Sequence, residues 1–396
     1  MINPPTGSQS IVNAQSDGNT RAAGDDRTFT NIVGWLILWK SVYGLLIVFS
    51  IFLLPDIFFR DQFYVVYHFT RDPYTTLARF FETWDAQEYL GISQIGYSPG
   101  SRVDAFYPLW PICIRLFSAV TGGNHLLSAM VLANVFSVIG MAVLFRYLQW
   151  GFGRATAERA LVLFLALPGA LFFSMPYSES LFLLLAAMSL LLMKNEKFAA
   201  SGLGLMLSAM TRPTGTFWAP FLLLEFARNR RKAELAMCLF PVLGYALYLV
   251  TMYATTGNPF EQVAVAPLFA SHNSLSSLID VRAFVEAFLN MQPGHSIVDS
   301  PIDRLFFLWC LVTLPAVYKL DKTLFAYSLC MGLLPAVMTH FASYMRYSLM
   351  DFPVVLVTAI ALTRGRWAPA FPVLAAGLFW LQAIMLIRHI NYYWAG

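Results

Sequence analysis

Long apolar runs, separated by short polar turns, follow one another along most of the chain. A membrane-spanning helix needs about 20 mostly apolar residues, and many of these runs approach that length. We predict spans at residues 31–54, 126–148, 160–174, 180–193, 199–210, 217–226, 233–255, 305–318, 324–340, 347–363 and 371–387. The pattern therefore predicts an all-α fold, a polytopic transmembrane helical bundle of about eleven helices.

Lysines and arginines cluster in the turns between these spans and indicate how the chain is oriented, because cytoplasmic turns carry an excess of positive charge. The clusters lie at 146–159, 194–197, 228–232, 319–322 and 364–366. A single choice of parity places nearly all of them on the cytoplasmic side. This choice predicts a cytoplasmic N-terminus and an extracytoplasmic C-terminus.

Polar stretches divide the chain further. Residues 1–30 are rich in Ser, Asn, Gly and Asp and lack the basic start of a signal peptide, so we expect a disordered cytoplasmic tail. Residues 31–396 then form a single transmembrane domain. Its two long outer loops are predicted at about 55–125 and 257–301.

The first outer loop is semi-polar and rich in aromatic residues. An amphipathic helical stripe, predicted to lie along the outer membrane surface, is formed by Leu77, Phe80, Phe81 and Trp84. The apolar run 106–120 is interpreted as interfacial or re-entrant. A further span there would move the arginines that follow residue 145 to the outside, against the positive-inside rule.

Composition agrees with a membrane protein and excludes several other classes. Hydrophobic residues make up 58% of the chain and charged residues only 12%, against about 25% charged in soluble domains. The net charge of +4 comes without a basic stripe, so nucleic acid is not expected as a partner. The four cysteines lie far apart in apolar segments, and no CxxC spacing suggests a disulfide framework or a metal site.

Acidic residues follow the aromatic stripe at the predicted membrane boundary. Asp85 and Glu88 stand three residues apart, a spacing that fits a helix-capping box as well as a functional site. The two readings are compatible, because a capping residue can also face a cavity. The pair could also hold Mg²⁺ or Mn²⁺, although two carboxylates do not make a convincing site by themselves.

Other polar residues interrupt apolar segments near their predicted outer ends. They are Tyr177 and Glu179, Arg212 beside Pro213 and Gly215, and the group His340, Arg346 and Tyr347. An ionised side chain at membrane depth costs about 2.5–3.5 kcal/mol and usually faces a protein cavity. The arginine fork suits a phosphate group. For either arginine, snorkelling to lipid phosphates or pairing with Glu179 is an equally open reading.

Five short segments resemble, in order, the PIG-V family, which contains the second mannosyltransferase of GPI-anchor synthesis. They are Trp84-Asp85-Ala86 with Tyr89-Leu90 and Gly96-Tyr97, Ala105 to Pro111, Phe173 to Phe182, Ala209 to Gly215, and Met345-Arg346-Tyr347 with Pro353. The chain departs from the family at Glu88, where His is frequent. It resembles the prokaryotic relatives of the family, which implies a plasma-membrane protein.

The resemblance implies a glycosyltransferase of the C-type fold, with a catalytic carboxylate in the first outer loop. It implies an inverting transfer of a hexose, mannose in the family, from a polyprenyl-phosphate carrier to an acceptor hydroxyl outside the cell. Asp85 would be the base and Glu88 would assist it, while Arg212 and Arg346 would bind the donor phosphate. The remaining substrate-binding residues implied are Glu179, Tyr177, Tyr347, Trp84 and His340.

Two other classes of function remain open at this point. A lipid or small-molecule transporter or flippase would fit the spans, although no internal repeat is visible and the outer loops are asymmetric. A non-catalytic membrane scaffold would tolerate replacement of Asp85. For an enzyme, the acceptor could be a glycolipid, a cell-wall polymer or a protein, and the sugar could be another hexose.

Overall fold

The computed structural model describes residues 10–53, 77–269, 279–363 and 367–396, and no strand occurs among them. The α-helices are α1 Ser10–Leu53, α2 Asp85–Ile95, α3 Leu109–Ser118, α4 His125–Phe152, α5 Arg154–Ala166, α6 Glu179–Lys194, α7 Phe198–Ala209, α8 Trp218–Asn229, α9 Lys232–Met237, α10 Leu239–Thr256, α11 Glu261–Ala264, α12 Val281–Leu289, α13 Pro301–Leu320, α14 Lys322–Ser328, α15 Leu334–Thr339, α16 Tyr344–Tyr347, α17 Phe352–Ala361 and α18 Ala370–Ile390. Short 3₁₀ helices lie at Leu77–Phe80, Arg102–Ala105, Pro168–Phe173, Pro213–Phe217, Ala266–Leu268 and Ser348–Met350, and a π-helical turn lies at Leu329–Leu333.

Within the described ranges, 6 helical stretches are long and apolar enough to cross a membrane. They are Thr30–Phe52, His125–Phe152, Lys232–Thr256, Pro301–Leu320, Lys322–Thr339 and Ala370–Ile390. The predicted membrane bundle is therefore confirmed. The prediction of about eleven full spans is too high by this measure, because the other predicted spans fold as shorter helices with breaks at their ends.

Two of these short helices end in the middle of the bundle. Helix α6 has 16 residues and α7 has 12, so they measure about 24 Å and about 18 Å. The hydrocarbon core of a bilayer is about 30 Å thick, so neither helix can cross it completely. The chain breaks at the start of α6 and at the end of α7, and the two breaks meet where Glu179 ion-pairs with Arg212.

Close packing holds α6 in the centre of the bundle between α4 and α7. At Gly140 of α4, a Cβ atom would lie 3.0 Å from the backbone of Leu184 in α6. Small residues allow this close approach of membrane helices. The position of the α6 start, which carries the site described below, is therefore fixed by backbone-to-backbone packing.

Helix α1 starts at Ser10 and is continuous to Leu53, so it includes polar residues that precede the first predicted span. Propagation from an established helix adds one hydrogen bond per residue, which explains how the apolar span extends into a polar sequence. Midway along α1, Lys40 donates to the carbonyl of Phe173 and to Ser174 Oγ, both at 2.8 Å.

The first outer loop contains helices, but not the predicted stripe. Residues 54–76 lie outside the described ranges, and Leu77–Phe80 is a 3₁₀ helix of 4 residues. Phe80 is buried in the core, and a positive φ of 51° at Trp84 interrupts the continuous helix that the stripe would need. The amphipathic helix of this loop is α3, which buries Trp110 and exposes Ile112 and Leu116. Its 10 residues are too few to span a membrane.

The second outer loop is organised by a buried arginine at the start of α13. Arg304 donates to the carbonyls of Val298, at 2.6 Å, and Asn290, at 3.3 Å, and lies over the ring of Phe341. Beside it, Asp303 accepts a hydrogen bond of 2.6 Å from the backbone N–H of Met345. The loop is thus joined to α16, which carries Arg346.

Candidate active site

Two carboxylates and two guanidinium groups form a continuous cluster at the broken helix ends. Glu179, the first residue of α6, is fully buried and ion-pairs through Oε1 with both Arg212 and Arg346. Arg346 also donates from Nη1 to Oδ2 of Asp85. The order Asp85–Arg346–Glu179–Arg212 alternates in charge. Each arginine therefore has a carboxylate partner, which is what a buried ion needs to be tolerated.

A tight reversal of the chain brings Arg212 into this cluster. Arg212 follows α7 in extended conformation and precedes the 3₁₀ helix Pro213–Phe217. At Gly215 a Cβ atom would lie only 2.3 Å from the carbonyl oxygen of Ser208, so the turn requires glycine. The guanidinium also donates to Ser178 Oγ at 3.2 Å and lies 5.3 Å from the ring centre of Tyr347.

Aromatic rings hold the second guanidinium. The Cζ atom of Arg346 lies 5.0 Å from the ring centre of Phe172 and 4.8 Å from that of Tyr177. Both rings belong to the break that precedes α6. Cation–π contacts of this kind strengthen when water is excluded, and Arg346 is 6% exposed.

Asp85 is the most accessible acid of the cluster, with 25% of its side chain exposed. It is the first residue of α2, while Trp84 occupies the N-cap position and no side chain caps the helix. The capping-box reading of Asp85 and Glu88 is therefore wrong, because the carboxylate turns to Arg346 and away from the helix end. The positive φ of Trp84 costs about 1–3 kcal/mol, which the surroundings must offset.

Several contacts hold the residues around Asp85. The Tyr177 hydroxyl donates to the carbonyl of Thr83 at 3.1 Å, and Thr83 Oγ1 lies 3.0 Å from His389 Nε2. The Tyr392 hydroxyl donates to the carbonyl of Glu82 at 2.6 Å and accepts from Gln87 at 2.7 Å. The short loop that carries Asp85 is thus tied to the α6 break and to the end of α18.

Glu88 faces a different part of the outer loop. It is 5% exposed, and its nearest cation is Arg102, whose Nε lies 3.4 Å from Oε1. Burial raises the pKa of the Glu88 carboxyl to about 7, although the Arg102 guanidinium opposes this shift. Arg102 in turn donates to the carbonyl of Leu268 at 2.7 Å. Glu88 therefore connects the two outer loops and does not join the arginine cluster.

Some of the other predicted site residues contact the cluster, and others lie elsewhere. Tyr177 and Tyr347 contact the arginines, as described, whereas Trp84 packs edge-on against Trp394 with ring centres 5.0 Å apart. His340 ends α15 in a left-handed conformation, and its buried Nε2 has no hydrogen-bond partner among the described residues. None of the contacts that join the cluster involves His340.

The two acids considered as ligands of Mg²⁺ or Mn²⁺ are each engaged by an arginine. Asp85 pairs with Arg346 and Glu88 with Arg102. In the part of the chain that the structure describes, no group of three or more His, Cys, Asp or Glu side chains could hold a metal ion. A divalent cation held by Asp85 and Glu88 stays a prediction.

Sequence reasoning missed the neighbours that shape the cluster. Phe172, Thr83, Ser178 and His389 are all buried and all touch a cluster residue or its immediate neighbour. Ser178 and Phe172 stand beside Tyr177 and Glu179 in a broken apolar segment, which was an available signal. His389 lies at the end of a regular apolar helix, and its sequence offers no such indication.

The cluster has the components of a transferase site for anionic leaving groups. A partly exposed carboxylate can accept a proton, and the adjacent guanidinium groups can hold a phosphate. All four members meet where α6 begins and α7 ends. The site therefore combines a partly exposed carboxylate and two guanidinium groups within one chain of ion pairs.

Comparison with known proteins gives independent information. One solved structure with a similar arrangement is the oligosaccharyltransferase of Archaeoglobus fulgidus, crystallised in complex with zinc and sulfate. It shares 11% sequence identity at a TM-score of 0.49, and the match covers 89% of this chain but only 53%, about half, of that chain. A search of curated proteins finds no significant match. The family model described as mannosyltransferase (PIG-V) matches residues 74–326, which is more than half of the sequence. The chain thus belongs to the PIG-V mannosyltransferase family.

Proposed function

We propose that the protein is a membrane mannosyltransferase that moves mannose from a polyprenyl-phosphate-linked donor to an acceptor hydroxyl, with inversion at the sugar. The observation that carries this proposal is the partly exposed Asp85 carboxylate beside two guanidinium groups, which a buried Glu179 holds together. The reaction takes place on the outer face of the membrane. The acceptor is a lipid, a glycan or a protein with a free hydroxyl.

The donor phosphate binds to Arg346 and Arg212. Each guanidinium presents several N–H donors in a fixed fork, so both can keep a bond to Glu179 and still reach phosphate oxygens. The donor is a phosphodiester with one negative charge, and it competes with the Asp85 carboxylate for Arg346. The guanidinium groups then neutralise the negative charge that grows on the phosphate as the sugar leaves.

Transfer requires one base and one leaving group. Asp85 takes the proton of the acceptor hydroxyl while the acceptor oxygen forms a bond to the anomeric carbon of mannose. The bond between that carbon and the phosphate oxygen breaks on the opposite face, which inverts the configuration. Polyprenyl phosphate leaves with the bonding electron pair, and the proton stays on Asp85 until the product departs.

The remaining residues have supporting roles. Glu179 is fully buried, so we assign it to holding the two arginines and not to direct contact with the sugar. Tyr177 and Tyr347 shape the walls beside the guanidinium groups. Glu88, whose pKa is about 7, orients the acceptor from the side of the first outer loop.

The position of the cluster at the broken helices supports a lipid-linked donor. Because α6 and α7 are shorter than the bilayer core, we infer that the cluster at their ends lies near the depth of lipid phosphates. A donor phosphate can then reach the arginines while its polyprenyl chain stays in the hydrocarbon layer. A soluble nucleotide sugar has no lipid chain that must stay in the hydrocarbon layer.

The test is a transfer assay with purified protein in lipid vesicles, radiolabelled polyprenyl-phosphate mannose, and a total extract of membrane lipids, glycans and proteins as acceptor. Wild type should label one acceptor fraction, and Asp85→Asn should not. Glu286→Gln removes an exposed carboxylate on α12 and serves as the matched control, with activity equal to wild type. Label of equal intensity with Asp85→Asn would exclude Asp85 as the base, and no label with wild type would exclude the proposed donor class.

A further inference from the structure

We infer that the segment from His389 to Trp394 positions Asp85 for catalysis, and that the Tyr392 hydroxyl is the decisive contact. The inference rests on the proposed role of Asp85 as the base. The segment lies at and after the end of α18, beyond residues 74–326 that the family model matches. The family match therefore assigns no role to it.

The Tyr392 hydroxyl connects two residues on opposite sides of Asp85. It donates to the carbonyl of Glu82, three positions before Asp85, at 2.6 Å. It accepts from the side-chain amide of Gln87, two positions after Asp85, at 2.7 Å. A tyrosine hydroxyl can do both at once, and a phenyl ring can do neither. The segment from Glu82 to Gln87 is thereby fixed at both ends by one atom.

Two neighbouring contacts act in the same direction. His389 Nε2 lies 3.0 Å from the Thr83 hydroxyl, and the ring of Trp394 packs edge-on against Trp84. Together with Tyr392, these residues reach Glu82, Thr83, Trp84 and Gln87, which surround Asp85 in the sequence. His389 and Tyr392 are fully buried. The C-terminal segment thus contacts the catalytic loop at four of the five positions around the base.

Backbone strain occurs on both sides of this contact. Trp84 has a φ of 51° and Tyr392 a φ of 65°, in a region that residues with a side chain rarely adopt. Such strain persists only where surrounding contacts determine the conformation, and it gathers at functional sites. Here the two strained residues belong to the two segments that the Tyr392 hydroxyl joins. The conformation of the loop, and with it the direction of the Asp85 carboxylate, depends on that junction.

The test compares Tyr392→Phe with Tyr253→Phe, a control that removes a hydroxyl from a side chain 64% exposed on α10. A misplaced catalytic group typically costs 10- to 100-fold in rate, so kcat for mannose transfer should fall about 10-fold or more in Tyr392→Phe. Affinity for polyprenyl phosphate should not fall, because the arginines are untouched. A Gln87→Met variant should show the same loss, and the double variant should lose no more than either single one.

Hydrogen exchange gives a readout that does not depend on the substrate. Amides of residues 82–90 should exchange faster in Tyr392→Phe, while those of α4 and α6 stay as in wild type. Unchanged exchange in this segment would overturn the inference, whether or not the protein transfers mannose. Faster exchange with an unchanged kcat would overturn it as well, and so would a loss of rate that merely follows a general loss of thermal stability. An inactive wild type would refute the proposed function alone.

Discussion

Replacing Asp85 by Asn should make polyprenyl phosphate bind more tightly, although it abolishes transfer. Arg346 is shared between Asp85 and Glu179, so a phosphate that reaches Arg346 must displace the Asp85 carboxylate. Asparagine keeps the shape of the side chain but removes its charge. The phosphate then has no charged competitor for the Arg346 guanidinium.

The expected size follows from the exposure of the pair. A hydrogen bond to a charged group contributes about 1.5–3 kcal/mol, and each 1.4 kcal/mol is tenfold in affinity. Asp85 is 25% exposed, so solvent screens the interaction and the lower end applies. We therefore expect the Kd of Asp85→Asn for polyprenyl phosphate to fall about 10-fold below that of wild type.

Titration calorimetry with a short-chain polyprenyl phosphate in detergent micelles measures this directly. Glu286→Gln should bind as wild type does, because its carboxylate is exposed and pairs with Arg282. Glu179→Gln should bind more weakly, because the arginines lose the acid that holds them together. Equal or weaker binding by Asp85→Asn would refute the idea that Asp85 and the phosphate compete for Arg346.

Three further results are expected. Arg346→Lys keeps the charge but loses the planar fork, so it should weaken phosphate binding about 10-fold or more in the same calorimetry, and wild-type affinity would speak against two-point recognition. Glu88→Gln should change how stability depends on pH. The pKa of Glu88 rises from 4.5 to about 7 on folding, so wild type loses stability as pH increases through that window. The variant should therefore unfold at a higher temperature than wild type at pH 8 but not at pH 4. Gly215→Ala should lower the unfolding temperature and the activity together, because its Cβ would meet the Ser208 carbonyl, while Gly377→Ala, with nothing within 4 Å, should be neutral or slightly stabilising in the same melting experiment.

The chain order of polar residues in apolar segments was enough to predict most members of the cluster. Glu179, Arg212 and Arg346 stand where an ionised group is costly, and this cost is visible in the sequence. Their partners were not visible, because pairing depends on how the breaks before α6 and after α7 meet. Both arginines pair with Glu179 in the structure, and their binding of a phosphate stays a prediction.

Predictions from local sequence spacing were wrong where a contact between distant residues determines the conformation. The spacing of Asp85 and Glu88 fits a capping box, yet Arg346, 261 residues away, takes the Asp85 carboxylate. The aromatic stripe that ends at Trp84 fits a helix, yet the C-terminal segment holds Trp84 at a positive φ. The number of spans was predicted too high for a related reason. A helix interrupted by proline or glycine has an apolar sequence whether or not it crosses the whole bilayer.

The position of Lys40 has a consequence for how the protein is assembled. A lysine in the middle of a first span costs about 2.5–3.5 kcal/mol on insertion, before any other part of the chain is present. Its hydrogen-bond acceptors, the carbonyl of Phe173 and the hydroxyl of Ser174, are made 133 and 134 residues later. Until the break before α6 has been synthesised and docked, α1 carries an unsatisfied cation in the bilayer. The first span is therefore inserted before Lys40 has its hydrogen-bond acceptors. Its retention in the membrane during biogenesis depends on the same segment that carries Glu179.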